Sequence, residues 1–275
     1  MKVFRPRTWR GFVKVIDEIR ATYDRHRIEI GELVLDEKIG ILFRGQADEK
    51  WPLATTLERA TSDKITVQHY GTIASKIVAE LESHTGSDWG FPEWPEMVEE
   101  VEAKQRAFSV HLPGYPFLVY LRHLGFPSPL LDWTKSPFIA AYFALIDAHD
   151  SNSAVYCYIE RPERTKSGWG GAPQISVQGP YVRTHTRHFF QKAWYSIATI
   201  WEEPRKSHTF CSHEDVFQLD RQNQDLLFKI ILPRSIRKEA LIHLNDYNIN
   251  HYTLFGSEES LVKTLASRLF DMEEA

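Results

Sequence analysis

Between Thr8 and Arg25 apolar residues recur at Phe12, Val13, Val15, Ile16 and Ile19. That three-to-four spacing stacks them on one side of a helix. Thr8 stands where a hydroxyl can accept a free first-turn N–H, so the pattern predicts a capped helix over about 8–25. The next apolar run, Gly40-Ile41-Leu42-Phe43, is short and unbroken and predicts a buried strand that ends at Arg44-Gly45. Helical spacing returns over Val67–His84, Glu96–Val110 and Phe117–Leu124, the last stopped by Gly125. The Gly-, Trp- and Pro-containing stretch Thr85–Pro95 reads as a surface connection.

After Leu130 the pattern changes to strict alternation. Asp132, Thr134 and Ser136 are polar, with Leu131 and Trp133 between them, so in an extended chain the three polar side chains share one face. Pro137 suits a helix's first turn, and Phe138–Ala144 continues that helix to about His149. Ala154–Ile159, Ser176–Val182, Trp194–Ile200 and Leu226–Leu232 predict strands, the last ended by Pro233, with a loop over Arg161–Pro173. Amphipathic helices over Arg234–Tyr247 and Ser257–Phe270 close the chain. Strands and helices are mixed without repeat or linker, which predicts one α+β domain across residues 1–275.

Composition leaves that picture unchanged. The chain has 275 residues, 43% hydrophobic and 25% charged, with 8 Trp, 11 Tyr and 16 Phe to fill a sizeable core. A formal net charge of −4 argues against broad affinity for nucleic acid and leaves room for a local basic patch. Cys157 and Cys211 stand far apart, without metal-ligand spacing, which predicts a reducing compartment and no zinc site. No apolar run approaches the roughly 20 residues that cross a bilayer, and Met1–Arg7 lacks a secretory apolar segment. A cytoplasmic protein without membrane contact is the expectation.

Two strand ends carry the candidate chemistry. Arg44 follows three apolar residues and precedes Gly45; a guanidinium there can hold a phosphate or carboxylate, with the glycine letting a ligand approach, or can pair with an acid such as Asp132. The face of Asp132, Thr134 and Ser136 abuts a helix entrance, where backbone N–H groups favour an anion; alternatively the hydroxyls simply cap that helix. His123 is either a base or a packing residue at a helix end. Arg187-His188-Phe189-Phe190-Gln191-Lys192 interleaves basic and aromatic side chains, as a nucleotide site or as a basic turn with its rings in the core. No GxSxG, Walker, GxGxxG or HExxH signature is present.

Phe43-Arg44-Gly45-Gln46 with Trp51 and Leu53, then Arg122-His123-Leu124-Gly125-Phe126-Pro127, then Leu130-Leu131-Asp132-Trp133-Thr134 and Ser136-Pro137, resemble the FRG domain family. Arg187 and Gln191 resemble a later Arg and Gln of its pattern, and Phe228–Leu244 its closing strand and helix. Arg122 stands where the family usually has Gln, Ser128-Pro129 where it has Thr-Arg, and Ala193 where it commonly has Gly. The order of these motifs is in turn similar to that of ADP-ribosyltransferases, which implies an ADP-ribosyltransferase-like split-sheet core. The resemblance implies reacting positions at Arg44, Asp132, Thr134, Ser136 and Gln191. It implies ligand contacts at Arg44, Gly45, Gln46, His123, Trp133 and Arg187, with Thr134 and Ser136 bracing a ribose.

It further implies NAD as cofactor without a metal, a nucleotide ligand, and a protein or nucleic-acid acceptor. ADP-ribosyl transfer or NAD glycohydrolysis by an intracellular toxin or phage-defence effector would follow. Gln191 falls where those enzymes carry a Glu, and an amide gives less charge stabilisation. The alternatives are a non-enzymatic module that recognises a protein, peptide or nucleic-acid end, and a hydrolase using Asp132 and His123.

Overall fold

The computed structural model describes residues 1–29, 40–106, 110–160, 171–180, 182–219 and 225–272. In chain order its elements are β1 (Lys2–Phe4), α1 (Trp9–Glu29), β2 (Ile41–Gln46), α2 (Thr56–Ala60), α3 (Val67–Thr85), α4 (Trp94–Lys104), α5 (Tyr115–His123), β3 (Leu131–Thr134) and α6 (Pro137–Leu145). There follow β4 (Ser153–Glu160), β5 (Gln174–Gln178), α7 (Thr186–Phe190), β6 (Ala193–Glu202), β7 (Ser207–Phe210), α8 (His213–Gln218), β8 (Asp225–Leu232), α9 (Arg237–Asp246), α10 (His251–Phe255) and α11 (Glu258–Ser267). The class is α+β, as the mixed pattern predicts.

The sheet runs β1-β8-β4-β2-β3-β6-β5, with β7 also on β6; β1 lies parallel to β8 and the other pairs are antiparallel. Alternation along its strands feeds three apolar clusters. Phe43, Val155, Cys157, Ile230 and Leu232 face one side, where α1, α6 and α9 bury Phe12, Ile16, Ala140, Ala144 and Leu241 against them. Leu42, Tyr156, Tyr158, Leu131, Trp133 and Trp194 point to the other side. Ala193, Tyr195 and Ile197 of β6 pack against α3, α4 and α5. β4 is buried along its whole length because it has neighbours on both edges and apolar clusters on both faces.

The seam between β2 and β3 shapes the molecule's cleft. These strands meet at one register pair, Phe43↔Thr134, whereas β2 pairs with β4 over all of Ile41–Gln46. Beyond that pair Arg44 Nη1 donates to the Asp132 carbonyl oxygen at 2.9 Å, so a guanidinium takes the place of a ladder N–H.

Several boundaries differ from the sequence pattern. The helix expected over Glu96–Val110 runs Trp94–Lys104, and the one after Pro137 ends at Leu145 rather than near His149. The strand expected at Ser176–Val182 is Gln174–Gln178, and most of the loop Arg161–Pro173 lies outside the described residues. The helices expected over Arg234–Tyr247 and Ser257–Phe270 are Arg237–Asp246, entered through a 3-10 turn, and Glu258–Ser267, capped by Ser257, with α10 between them. The short elements β1, β7, α2, α7, α8 and α10 were not expected: three to six residues are too few for a period to register. Among the described residues no helix is long and apolar enough to cross a membrane. Cys157 and Cys211 are not joined in a disulfide.

Candidate functional site

A cleft of about 730 Å³ opens where β2 and β3 part. Its polar lining comes from β2 (Arg44, Gln46), α2 (Arg59), the end of α5 (Arg122, His123), β3 (Asp132, Thr134) and the α7 region (Arg187, Gln191). Asp147, just past α6, adds a second carboxylate. Phe43, Phe143, Phe255 and Trp51 supply aromatic walls, and Trp51 is 54% exposed at the rim. Four guanidiniums thus face two carboxylates, a local positive excess in a chain whose net charge is −4.

Asp132 is the hub. Its Oδ2 takes an ion pair and hydrogen bond from Arg122 Nη2 and lies 3.9 Å from Arg44 Nη1. Burial lowers the Arg44 pKa to about 10; Asp132 opposes this and neighbouring Arg122 adds to it. Arg44 therefore stays charged at neutral pH. Arg187 Nη1 donates to the His123 carbonyl at 3.1 Å, and its guanidinium lies 5.1 Å from the centre of the Phe255 ring.

Several donors and acceptors here are buried without a partner among the described residues: Nε of Arg44, Arg122 and Arg187, Oε1 of Gln46, and Oδ1 of Asp132. An orphaned buried polar group costs about 1–3 kcal/mol, more when charged, so five around one cleft are what a polar ligand would satisfy.

The remaining candidates have other duties. The Thr134 hydroxyl donates to the Gln191 carbonyl at 2.7 Å and accepts from the Ser136 N–H at 3.1 Å, so it ties β3 to α7. Ser136 does not line the cleft; its Oγ accepts from the Ile139 N–H at 3.3 Å and caps α6. Of the two hydroxyls expected to brace a ribose, that of Ser136 caps α6, whereas Thr134 lines the cleft with its hydroxyl held by Gln191 and the Ser136 N–H. Ser136→Ala should cost about 1 kcal/mol of stability in a denaturant titration and leave ligand affinity unchanged.

Trp133 lines the cleft but is largely buried, and its indole N–H donates to Ser196 Oγ at 2.8 Å. Gly45 lines the cleft, yet its missing Cβ serves helix packing: a Cβ there would lie 1.9 Å from the Ala140 carbonyl oxygen. Gln46 Nε2 donates to the Pro52 carbonyl at 3.0 Å, and Gln191 Nε2 to the Leu254 carbonyl at 3.2 Å. Phe189 and Phe190 are exposed, which corrects the reading of their rings as core. Among the described residues no cluster of three His, Cys, Asp or Glu could hold a metal ion.

Sequence reasoning treated Arg122 only as a departure from a pattern and missed Arg59, Phe143, Asp147 and Phe255. Arg59 and Phe255 sit on short helices that no periodicity marks, far apart in the chain.

These features define an α+β protein with a basic cleft at a parted sheet seam. The FRG domain model matches residues 40–153, which include β2, α5, β3 and α6, and this supports the FRG family. Arg187, Gln191 and Phe228–Leu244 lie beyond the matched residues, so the match does not extend to the wider resemblance. No curated protein and no solved structure matches the chain.

Proposed function

We propose that the cleft binds a nucleotide of the NAD class in an ADP-ribosyltransferase-like core, and that binding, ahead of glycosyl transfer, is what its geometry favours. The observation that carries this is the set of orphaned groups: three guanidinium Nε atoms suited to phosphate oxygens, beside one carboxylate oxygen suited to a hydroxyl. Arg44, Arg122 and Arg187, with Arg59 at the rim, would hold the phosphates. Trp51 would offer a stacking face to a base. A volume of about 730 Å³ falls in the range of nucleotide-sized ligand pockets.

NAD would supply a glycosidic bond whose cleavage builds positive charge on the sugar. Neither candidate counter-charge is well placed for that step. The charge of Asp132 is already shared by two guanidiniums, and Gln191 is neutral and tied to Leu254. An intracellular effector that senses or sequesters nucleotide fits this arrangement better than a fast transferase.

Calorimetric titration with NAD, followed by incubation with labelled NAD and a cell lysate, tests the reading. Saturable binding that weakens with salt is expected, with little label transferred. Arg59 is exposed, so Arg59→Ala should leave stability unchanged and weaken NAD binding by about two- to fivefold, the worth of a screened surface charge contact. Absence of any NAD binding would sink the proposal, and rapid labelling of a lysate component would replace binding with transfer.

A further inference from the structure

The hydrogen bonds behind the cleft fix one tautomer. His188 Nε2 lies 2.8 Å from the Pro180 carbonyl oxygen, which can only accept, so the His188 proton is on Nε2. Burial lowers the His188 pKa, opposed by that bond, so its Nδ1 is bare and accepts from the Tyr195 O–H at 2.9 Å. A phenol has one proton, and burial raises the Tyr195 pKa, so the hydroxyl stays protonated. Its oxygen must then accept from His123 Nε2 at 2.7 Å.

A neutral imidazole has a single N–H, so His123 Nδ1 is left as an acceptor, with no partner among the described residues. Burial holds the His123 pKa at about 4, although Asp132 opposes it; His188, Arg122 and His185 add to the lowering. Arg187 also faces this residue, through its bond to the His123 carbonyl. A ring this weakly basic accepts a hydrogen bond without taking the proton.

Asp132 sits directly across the β3–β6 ladder from Tyr195, so their side chains share one face of the sheet, with His123 resting on the phenol. Both His123 and Asp132 line the cleft, and Asp132 Oδ1 is an orphaned acceptor. The wall beside the guanidiniums therefore carries two acceptors and no donor of its own at those two atoms.

We propose that His123 Nδ1 and Asp132 Oδ1 form a two-acceptor pair that takes the vicinal hydroxyls of the ligand's ribose, with Tyr195, His188 and the Pro180 carbonyl as the positioning chain. The assignment rests on the nucleotide reading of the cleft. A cis-diol brings two donors to two acceptors. A ribose phosphorylated at either hydroxyl brings a negative charge against a carboxylate and is refused, and a dideoxyribose leaves both acceptors unpaired.

The test uses ADP, which has a single ribose, and 2′,3′-dideoxy-ADP, each titrated calorimetrically into the full chain. ¹⁵N NMR of histidine-labelled protein reports the tautomers independently of affinity. The pair requires dideoxy-ADP to bind at least about tenfold more weakly than ADP, in line with the loss of paired polar contacts. It also requires His123 to carry its proton on Nε2.

Tyr195→Phe should then shift the His123 nitrogen signals and weaken ADP while leaving dideoxy-ADP unchanged. Should that variant fail to fold, the two ligands and the NMR spectrum of the unaltered protein still decide the matter. Equal affinity for ADP and dideoxy-ADP, or a proton on His123 Nδ1, overturns the pair alone. Binding of neither ADP nor NAD overturns the nucleotide reading and the pair with it.

Discussion

Gly45→Ala is expected to destabilise the protein by about 3 kcal/mol or more, or to prevent folding outright. The new Cβ would lie 1.9 Å from the Ala140 carbonyl oxygen and 2.6 Å from the Ala144 N–H nitrogen. Both atoms are α6 backbone, so no side-chain rotation relieves the clash. α6 must lift from β2, and the buried contacts of Phe43 with Ala140 and Ala144 would loosen with it. Arg44 and Gln46 flank the site on the same strand, so the cleft should distort together with the core. The check is thermal unfolding of Gly45→Ala beside Gly179→Ala, where a Cβ meets nothing within 4 Å and the expected change is within about 0.5 kcal/mol. Equal losses in the two variants would contradict the packing role assigned to Gly45.

Asp132→Ala should rank next. It leaves the Arg44 and Arg122 guanidiniums facing each other, with side chains only 15% and 17% exposed, and no charge between them. Breaking a fully buried ion pair costs about 3–5 kcal/mol. Asp132 itself is 33% exposed and solvent screens part of the repulsion, so about 2–3 kcal/mol is expected. For a domain of this size that lowers Tm by roughly 5–10 °C. Because the lost anion is the cause, added pyrophosphate should restore more Tm to Asp132→Ala than it adds to the unaltered protein. If it restores no more, repulsion between the guanidiniums is not the source of the loss.

The two strand ends were legible because each breaks an apolar run in an unusual way. Arg44 follows three apolar residues, and Asp132 alternates with Leu131 and Trp133, so both were placed on strands before any contact was known. The structure sets them together by one register pair and one guanidinium–carbonyl bond. The same alternation suggested that Thr134 and Ser136 shared the ligand face. It is a local rule, however, and cannot tell a hydroxyl aimed at a ligand from one that closes a helix end, as Ser136 does for Ile139. Trp133 and Gly45 line the cleft, yet both are also held by packing. A motif marks residues that cannot change freely, and packing against Ser196 or α6 constrains a residue as strictly as a ligand would.

By itself the sequence determined the α+β class, the long helices, the central strands and the two polar strand ends, because period, caps and apolar runs are properties of neighbouring residues. Only the tertiary structure decided that Arg122 shares Asp132 with Arg44, that Arg59 and Phe255 complete the cleft, and that a phenol between two histidines sets the state of His123. Several of those contacts join residues far apart in the chain, as Arg44 with Asp132 and His123 with Tyr195. Their energy depends on burial and on which partner has a proton to give, and neither is written in local spacing.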